Sequence, residues 1–184
     1  MVRSAIGVPI QLSIRRAGAA DAPVIARIGR EWFGDTYAAQ IRPEDLSAYL
    51  DQTYGDALQR QELLDPERVC LLAEAEGRPV GYAMLRRSPA NAERAGVAAA
   101  GAVELQRLYV DFRWQGRGVA QQLMQAVVEA TRALGGLSLW LGVWEENPRA
   151  IRFYDKCGFM PVGSQDFNLG AARQRDRVMV LTLD

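Results

Sequence analysis

The sequence predicts one domain of mixed α and β structure, a sheet layered against helices. Three observations predict it. Two short apolar runs with β-branched and aromatic content flank the turn-like Glu76-Gly77-Arg78, the pattern of a hairpin. A strand-like run ending near residue 110 leads through a glycine turn into a long stretch with apolar residues at helical spacing, and a second strand-like run follows it. The chain has 184 residues, 49% hydrophobic and 24% charged, a globular balance in a length that suits a single domain.

In chain order, residues 11–15 alternate weakly as a first strand. Asp21 stands before Ala22-Pro23, an N-cap with proline just inside a short helix over residues 24–33. Pro43-Glu44-Asp45 opens a second helical stretch with Leu46, Tyr49, Leu50 and Tyr54 as its apolar residues, and residues 57–64 form a further helix. Residues 69–75 and 79–85 are the hairpin strands. Residues 88–101, rich in Ala, Gly and small polar residues, are expected to be a loop. Residues 103–110 alternate as a strand. Residues 118–134 carry an apolar helical face that includes Leu123, Met124 and Val127, and Gly135-Gly136 end it. Residues 137–143 are a strand, and Asn147-Pro148 start a helix that stops at Gly158. Residues 159–167 and 177–183 close the chain as strands. Residues 1–10 are expected to be an N-terminal tail and residues 11–184 one domain, with no repeat and no linker.

Composition excludes several chemistries. Lys+Arg and Asp+Glu are 22 each, so the zero formal charge predicts no nucleic-acid partner. Histidine is absent, which removes Ser-His-Asp triads, Cys-His dyads and His-based metal sites; no metal is expected. No run of small or apolar residues, 96–103 among them, is long enough for a bilayer, so no membrane partner is expected. Residues 1–10 lack the apolar core of a signal peptide. The two cysteines, Cys70 and Cys157, form no C-x-x-C and read as reduced thiols in a cytoplasmic protein.

The segment Arg113-Trp114-Gln115-Gly116-Arg117-Gly118-Val119-Ala120 joins strand to helix. Its glycines let a ligand approach the backbone, and the first N–H groups of the helix lack internal partners and carry the positive end of the dipole. A pyrophosphate is the natural occupant, with Arg113 and Arg117 adding charge. No Gly-Lys-Ser/Thr follows, so the loop is not a Walker A. Gln121 stands at the third position of the dinucleotide fingerprint, which therefore fails. Taken alone, this G-x-G reads first as an ordinary strand–helix turn.

The same segment matches R/Q-x-x-G-x-G/A, the acyl-CoA signature of the GCN5-related N-acetyltransferase (GNAT) superfamily, which the chain resembles. The preceding Leu105-Gln106-Arg107-Leu108-Tyr109-Val110-Asp111 is similar to that family's strand before the pyrophosphate loop. The stretch from Asn147-Pro148-Arg149-Ala150 through Tyr154 to Gly158-Phe159 resembles its N-x-x-A-x-x-x-Y-x-x-x-G-F helix. Within the superfamily, Leu139-Trp140-Leu141-Gly142-Val143-Trp144-Glu145-Glu146-Asn147 and Phe167-Asn168-Leu169-Gly170 resemble the PaiA-type spermidine/spermine N-acetyltransferases.

The resemblance implies the GNAT fold, a mixed, mostly antiparallel sheet flanked by helices, with splayed strands forming the acyl-CoA cleft. It implies acetyl-CoA as cofactor and direct attack by a small-molecule amine, with a polyamine as acceptor. Cofactor binding then falls to the backbone of Leu108, Tyr109 and Val110 and to Arg113, Gln115, Gly116, Arg117, Gly118, Val119 and Ala120. Asn147 and Lys156 join them; Asn147 is also an N-cap and Lys156 equally a solvated lysine. The free backbone N–H groups would also receive the oxyanion.

Tyr154 is implied as the acid that protonates the thiolate, because a phenol stays protonated at neutral pH. By periodicity alone it fills the apolar stripe Ala150, Ile151, Tyr154, Cys157. Glu104 is the leading carboxylate for the base, acting through water, and reads equally as a salt-bridged residue; Glu145 is second and also a substrate candidate. Residues 31–58 hold six acids against Arg42, with aromatics interleaved. Trp32, Phe33 and Tyr37 are the substrate candidates there, although such helices ordinarily bury their aromatics. The alternatives are a protein or peptide N-acetyltransferase and a non-catalytic acyl-CoA-binding module. The closing strands are able to pair between subunits as a homodimer.

Overall fold

The structure, a computed structural model, describes residues 2–3, 9–169 and 172–183. Strands β1 (Val2–Arg3) and β2 (Pro9–Ile10) form a small antiparallel ladder within the segment expected to be a tail. The main sheet begins at β3 (Leu12–Arg16). Helices α1 (Ala22–Tyr37), α2 (Pro43–Thr53) and α3 (Asp56–Leu64) follow, then the hairpin β4 (Arg68–Ala75) and β5 (Arg78–Arg86). Helix α4 (Pro89–Arg94) leads to β6 (Ala102–Val110), α5 (Val119–Ala133), β7 (Ser138–Trp144) and α6 (Pro148–Lys156). Strands β8 (Met160–Leu169) and β9 (Ala172–Thr182) end the chain. Gly170, quoted above in a motif, lies outside the described residues.

Seven strands form one sheet in the order β3-β4-β5-β6-β7-β9-β8. Every pairing is antiparallel except β6 with β7. Alternation along the strands sorts two faces. Val69, Leu71 and Ala73 point to the face where α5 packs Val119, Leu123 and Val127, joined by Ile151 and Tyr154 of α6. Cys70 and Leu72 point to the other face, under Ile25, Ile28 and Trp32 of α1.

Three local expectations change. Residues 88–101 are not all loop. Ser88-Pro89 starts α4, and its Ala92 is fully buried beside Trp140. One and a half turns of mostly small residues show no usable periodicity. Asp21 precedes α1 as expected but makes no side-chain cap there. Its carboxylate binds both terminal nitrogens of Arg15, at 2.9 and 2.8 Å, and accepts the Gly18 amide at 2.8 Å. The Arg15 bonds hold that carboxyl below its usual range. Finally, α1 runs on to Tyr37 rather than stopping at residue 33. Phe33 and Tyr37 lie one turn apart on it and pack against each other at 4.6 Å between ring centroids.

Candidate active site

Strands β6 and β7 part company early. Their parallel ladder holds only Ala102 with Ser138, Val103 with Leu139 and Glu104 with Trp140. Beyond that point β6 pairs only with β5, as far as Val110, and β7 only with β9. Gln106 is the extra residue of a bulge, since Leu105 and Arg107 face consecutive residues of β5. A bulge bends and twists its strand, and this one turns β6 away from β7. Gln106 accepts a 2.7 Å hydrogen bond from Arg68, which ties down the bulged residue. The splay leaves one edge of Leu108, Tyr109 and Val110 without a strand partner among the described residues.

At the end of β6 the chain makes a 3-10 turn, Phe112–Trp114, capped by Asp111, whose carboxylate accepts the Arg113 amide at 2.9 Å. Gly116 and Gly118 then take φ of +76° and +88°. A Cβ at either would meet nothing within 4 Å, so conformation rather than space calls for glycine. The amides of Gly116, Arg117, Gly118, Val119 and Ala120 make no hydrogen bond of ordinary geometry to the backbone of the described residues. They open α5, where the helix dipole adds positive potential. The residues present therefore fit a diphosphate.

The side chains around this turn are otherwise engaged. The Arg113 guanidinium binds Asp111 at 2.6 Å and holds that carboxyl below its usual range. Arg117 stacks over the Trp114 ring at 5.3 Å, and the Gln115 amide donates to the Val110 carbonyl at 3.0 Å.

On the face covered by α1 and α2, the splay opens into a cavity of about 700 Å³. Phe33, Tyr37, Tyr49 and Tyr54 wall one side, Tyr109 and Trp144 flank the splay, and the β8–β9 hairpin supplies Phe167 and Asp176. The rings form a continuous set: Phe33 lies 4.5 Å from Tyr49, and Tyr37 lies 5.9 Å from Trp144. Burial first, then nearby Asp176, pushes the Tyr37 hydroxyl up to about 12.

Glu104 lies at the head of the splay. Its Oε2 accepts from Arg86 Nε and Nη2 at 3.0 and 2.7 Å and from Asn91 at 3.2 Å. Of the two sequence readings, the salt-bridged one describes this geometry, and Glu104 faces the cavity as well.

The Acetyltransferase (GNAT) family model matches residues 30–159. The chain belongs to the GNAT family. It is an N-acetyltransferase with acetyl-CoA as its cofactor. An uncharacterized N-acetyltransferase of Mycobacterium tuberculosis is 36% identical over 163 residues, 89% of this chain and 98% of that protein. The spermine/spermidine N(1)-acetyltransferase of Bacillus subtilis is 34% identical over 94 residues, 50% of this chain and 60% of that protein. In fold, this GNAT chain is similar to the PaiA N-acetyltransferase of Thermoplasma acidophilum, solved with coenzyme A. The TM-score is 0.75 at 21% identity, over 94% of this chain and 99% of that one.

The remaining candidates of this GNAT domain fall in different places. Asn147 caps α6, accepting the Ala150 amide at 3.0 Å. Tyr154 is buried between Phe153 and Phe159, and burial raises its hydroxyl well above the ordinary tyrosine value. Lys156 is exposed on the last turn of α6. Glu145 is exposed just past β7 and is not among the residues lining the cavity. Trp32 packs against Tyr82 in the core under α1, with 6.0 Å between rings, and does not line the cavity either. Sequence reasoning missed Asp176 and Gly142 as cavity residues. Asp176 sits in the charged run Arg173–Arg177, whose composition reads as solvated, and only strand register turns it inward.

Proposed function

We propose that this GNAT chain acetylates a primary amine of a small molecule, with polyamines such as spermidine and spermine as its acceptors, in the cytoplasm. The observation that carries the proposal is the aromatic-walled cavity at the splay, bearing Asp176, on the sheet face opposite α5. Rings of this kind flank an alkyl chain and meet ammonium groups face-on. The name borne by the Bacillus subtilis relative supports the same acceptor class.

When bound, acetyl-CoA supplies the acetyl thioester. The amides from Gly116 to Ala120 would hold its pyrophosphate, with Arg113 and Arg117 close by for charge-assisted contacts and Lys156 reaching the phosphates, whereas the Gln115 amide is taken by the Phe112 carbonyl. The free edge of Leu108, Tyr109 and Val110 takes the pantetheine arm by strand addition. Asn147 keeps its oxygen on the Ala150 amide and offers its amide nitrogen to the cofactor. Tyr154 Oη holds the proton that the departing sulfur receives; a phenol with a raised pKa keeps that proton throughout the neutral range. All three hydrogen bonds to Glu104 fall on Oε2. Its Oε1 takes the acceptor's proton through water. Phe33 and Tyr37 hold the acceptor's alkyl chain.

The test is thiol release from acetyl-CoA with spermidine, spermine, amino acids, aminoglycosides and peptides. Turnover with the polyamines is the expected result. Turnover confined to peptides, or absent with every amine while acetyl-CoA binds, overturns the proposal.

A further inference from the structure

Asp176 differs from Glu104 and Arg107, two other charged groups that line the cavity. Glu104 is held by Arg86, and Arg107 by Glu62. No arginine or lysine pairs with Asp176 and no donor bonds to it among the described residues. Its neighbours on β9, Arg175 and Arg177, point to the opposite face by strand alternation, and Arg175 binds Ser164 instead. The groups beside Asp176 are Trp144 and Gln165, its register partners on β7 and β8, and Tyr37 on α1. All three are uncharged. A half-buried carboxylate without a cation is costly, and a site that retains one is arranged to receive the cation from outside.

Gly142 on β7 makes the room. A Cβ built there would stand 3.0 Å from Asp176 Oδ2 and 2.8 Å from Gln165 Nε2. Any side chain at 142 would push the carboxylate or the amide aside. Glycine is otherwise a poor strand residue, so its presence at this point marks a close approach. Tyr37 and Trp144 stand beside the carboxylate as rings able to face a cation.

We infer that Asp176 is the anionic anchor for an alkylammonium group of the acceptor, and that Gly142 keeps this anchor open to the cavity. The inference rests on the small-amine reading above and deepens it: the acceptor class is an alkylammonium ion whose charge is met by Asp176 on β9, not by Glu104. Desolvation agrees with this, since burial raises the Asp176 carboxyl to about 6, leaving it charged at neutral pH.

The experiment measures binding apart from turnover. Butylamine and 1,4-diaminobutane are titrated calorimetrically into the full chain saturated with coenzyme A, for wild type, Asp176→Asn and Gly142→Ala. Coenzyme A affinity serves as the folding control. Loss of an ion-paired partner in a half-buried site predicts amine affinity about tenfold or more weaker in Asp176→Asn, with coenzyme A affinity unchanged. Gly142→Ala weakens the amine in the same sense. Equal amine affinity in wild type and Asp176→Asn, or no amine binding to wild type, overturns the inference. Amine binding that depends on Asp176 without any acetyl transfer would uphold the anchor and overturn the proposed acetylation of small amines.

Discussion

The carboxylate of Glu62 on α3 and the guanidinium of Arg107 on β6 are both buried and meet through two bonds, at 2.7 and 3.1 Å. Glu62 also accepts from Arg68 at 3.0 Å, and Arg68 reaches the bulge residue Gln106. One acid therefore holds a helix, two strands and the bulge that starts the splay. Tyr54 lies over the same guanidinium at 5.1 Å, linking this network to the cavity wall.

Removing the acid leaves Arg107 buried without its counter-charge. Glu62→Gln is expected to lower stability by about 3 kcal/mol in guanidinium unfolding, the usual scale for breaking a buried pair. A Glu62→Leu/Arg107→Met double variant should recover much of the loss. A single variant as stable as wild type would show that the pair is not needed.

Gly29 sits on α1 where a Cβ would clash with the Tyr54 ring and come within 3.2 Å of the Tyr82 hydroxyl. Alanine would favour the helix by about 1 kcal/mol, but overpacking against a buried ring costs about 1–3 kcal/mol. Gly29→Ala is expected to lower Tm by a few degrees. A raised Tm would mean that Tyr54 yields without cost.

Asp176 has a raised carboxyl pKa, about 6 against an ordinary 3.8, caused by burial. The folded chain thus holds this proton more tightly than the unfolded one. Its charge weakens the fold at neutral pH, and that penalty fades as pH falls from about 6 to about 4. The size is about 2 kcal/mol once solvent screening is discounted. Asp176→Asn should be the more stable protein at pH 7, by urea unfolding, and the difference should shrink toward pH 4. A difference that grows on acidification contradicts the assignment.

Tyr154→Phe removes the proposed proton donor and little volume. Turnover is expected to fall about 10²–10⁴-fold, the range for a lost general acid, with coenzyme A affinity unchanged by calorimetry. Because burial raises its pKa, Tyr154 should impose no alkaline limb on the rate below about pH 10. A fully active phenylalanine variant would remove it from the mechanism.

Much of this molecule was written in local pattern. The hairpin β4–β5, the apolar face of α5, the Asn147 cap and the glycine turn each depend on residues a few positions apart, where periodicity and backbone conformation act directly. The family motifs are of the same kind, short runs in one segment. Helix α4 was hidden because six residues are too few for a periodic signal.

By itself the sequence determined most of the element types, the glycine turn before α5 and the family. Tertiary structure decided which charges meet and which stay open. Arg113 closes on Asp111, Glu62 is claimed by Arg107, and Asp176 is turned inward opposite Gly142. These outcomes depend on register between strands and on contacts across long stretches of chain. Moving a strand by one residue exchanges its faces while leaving every local pattern intact, so only the assembled sheet selects the side chains that line the cavity.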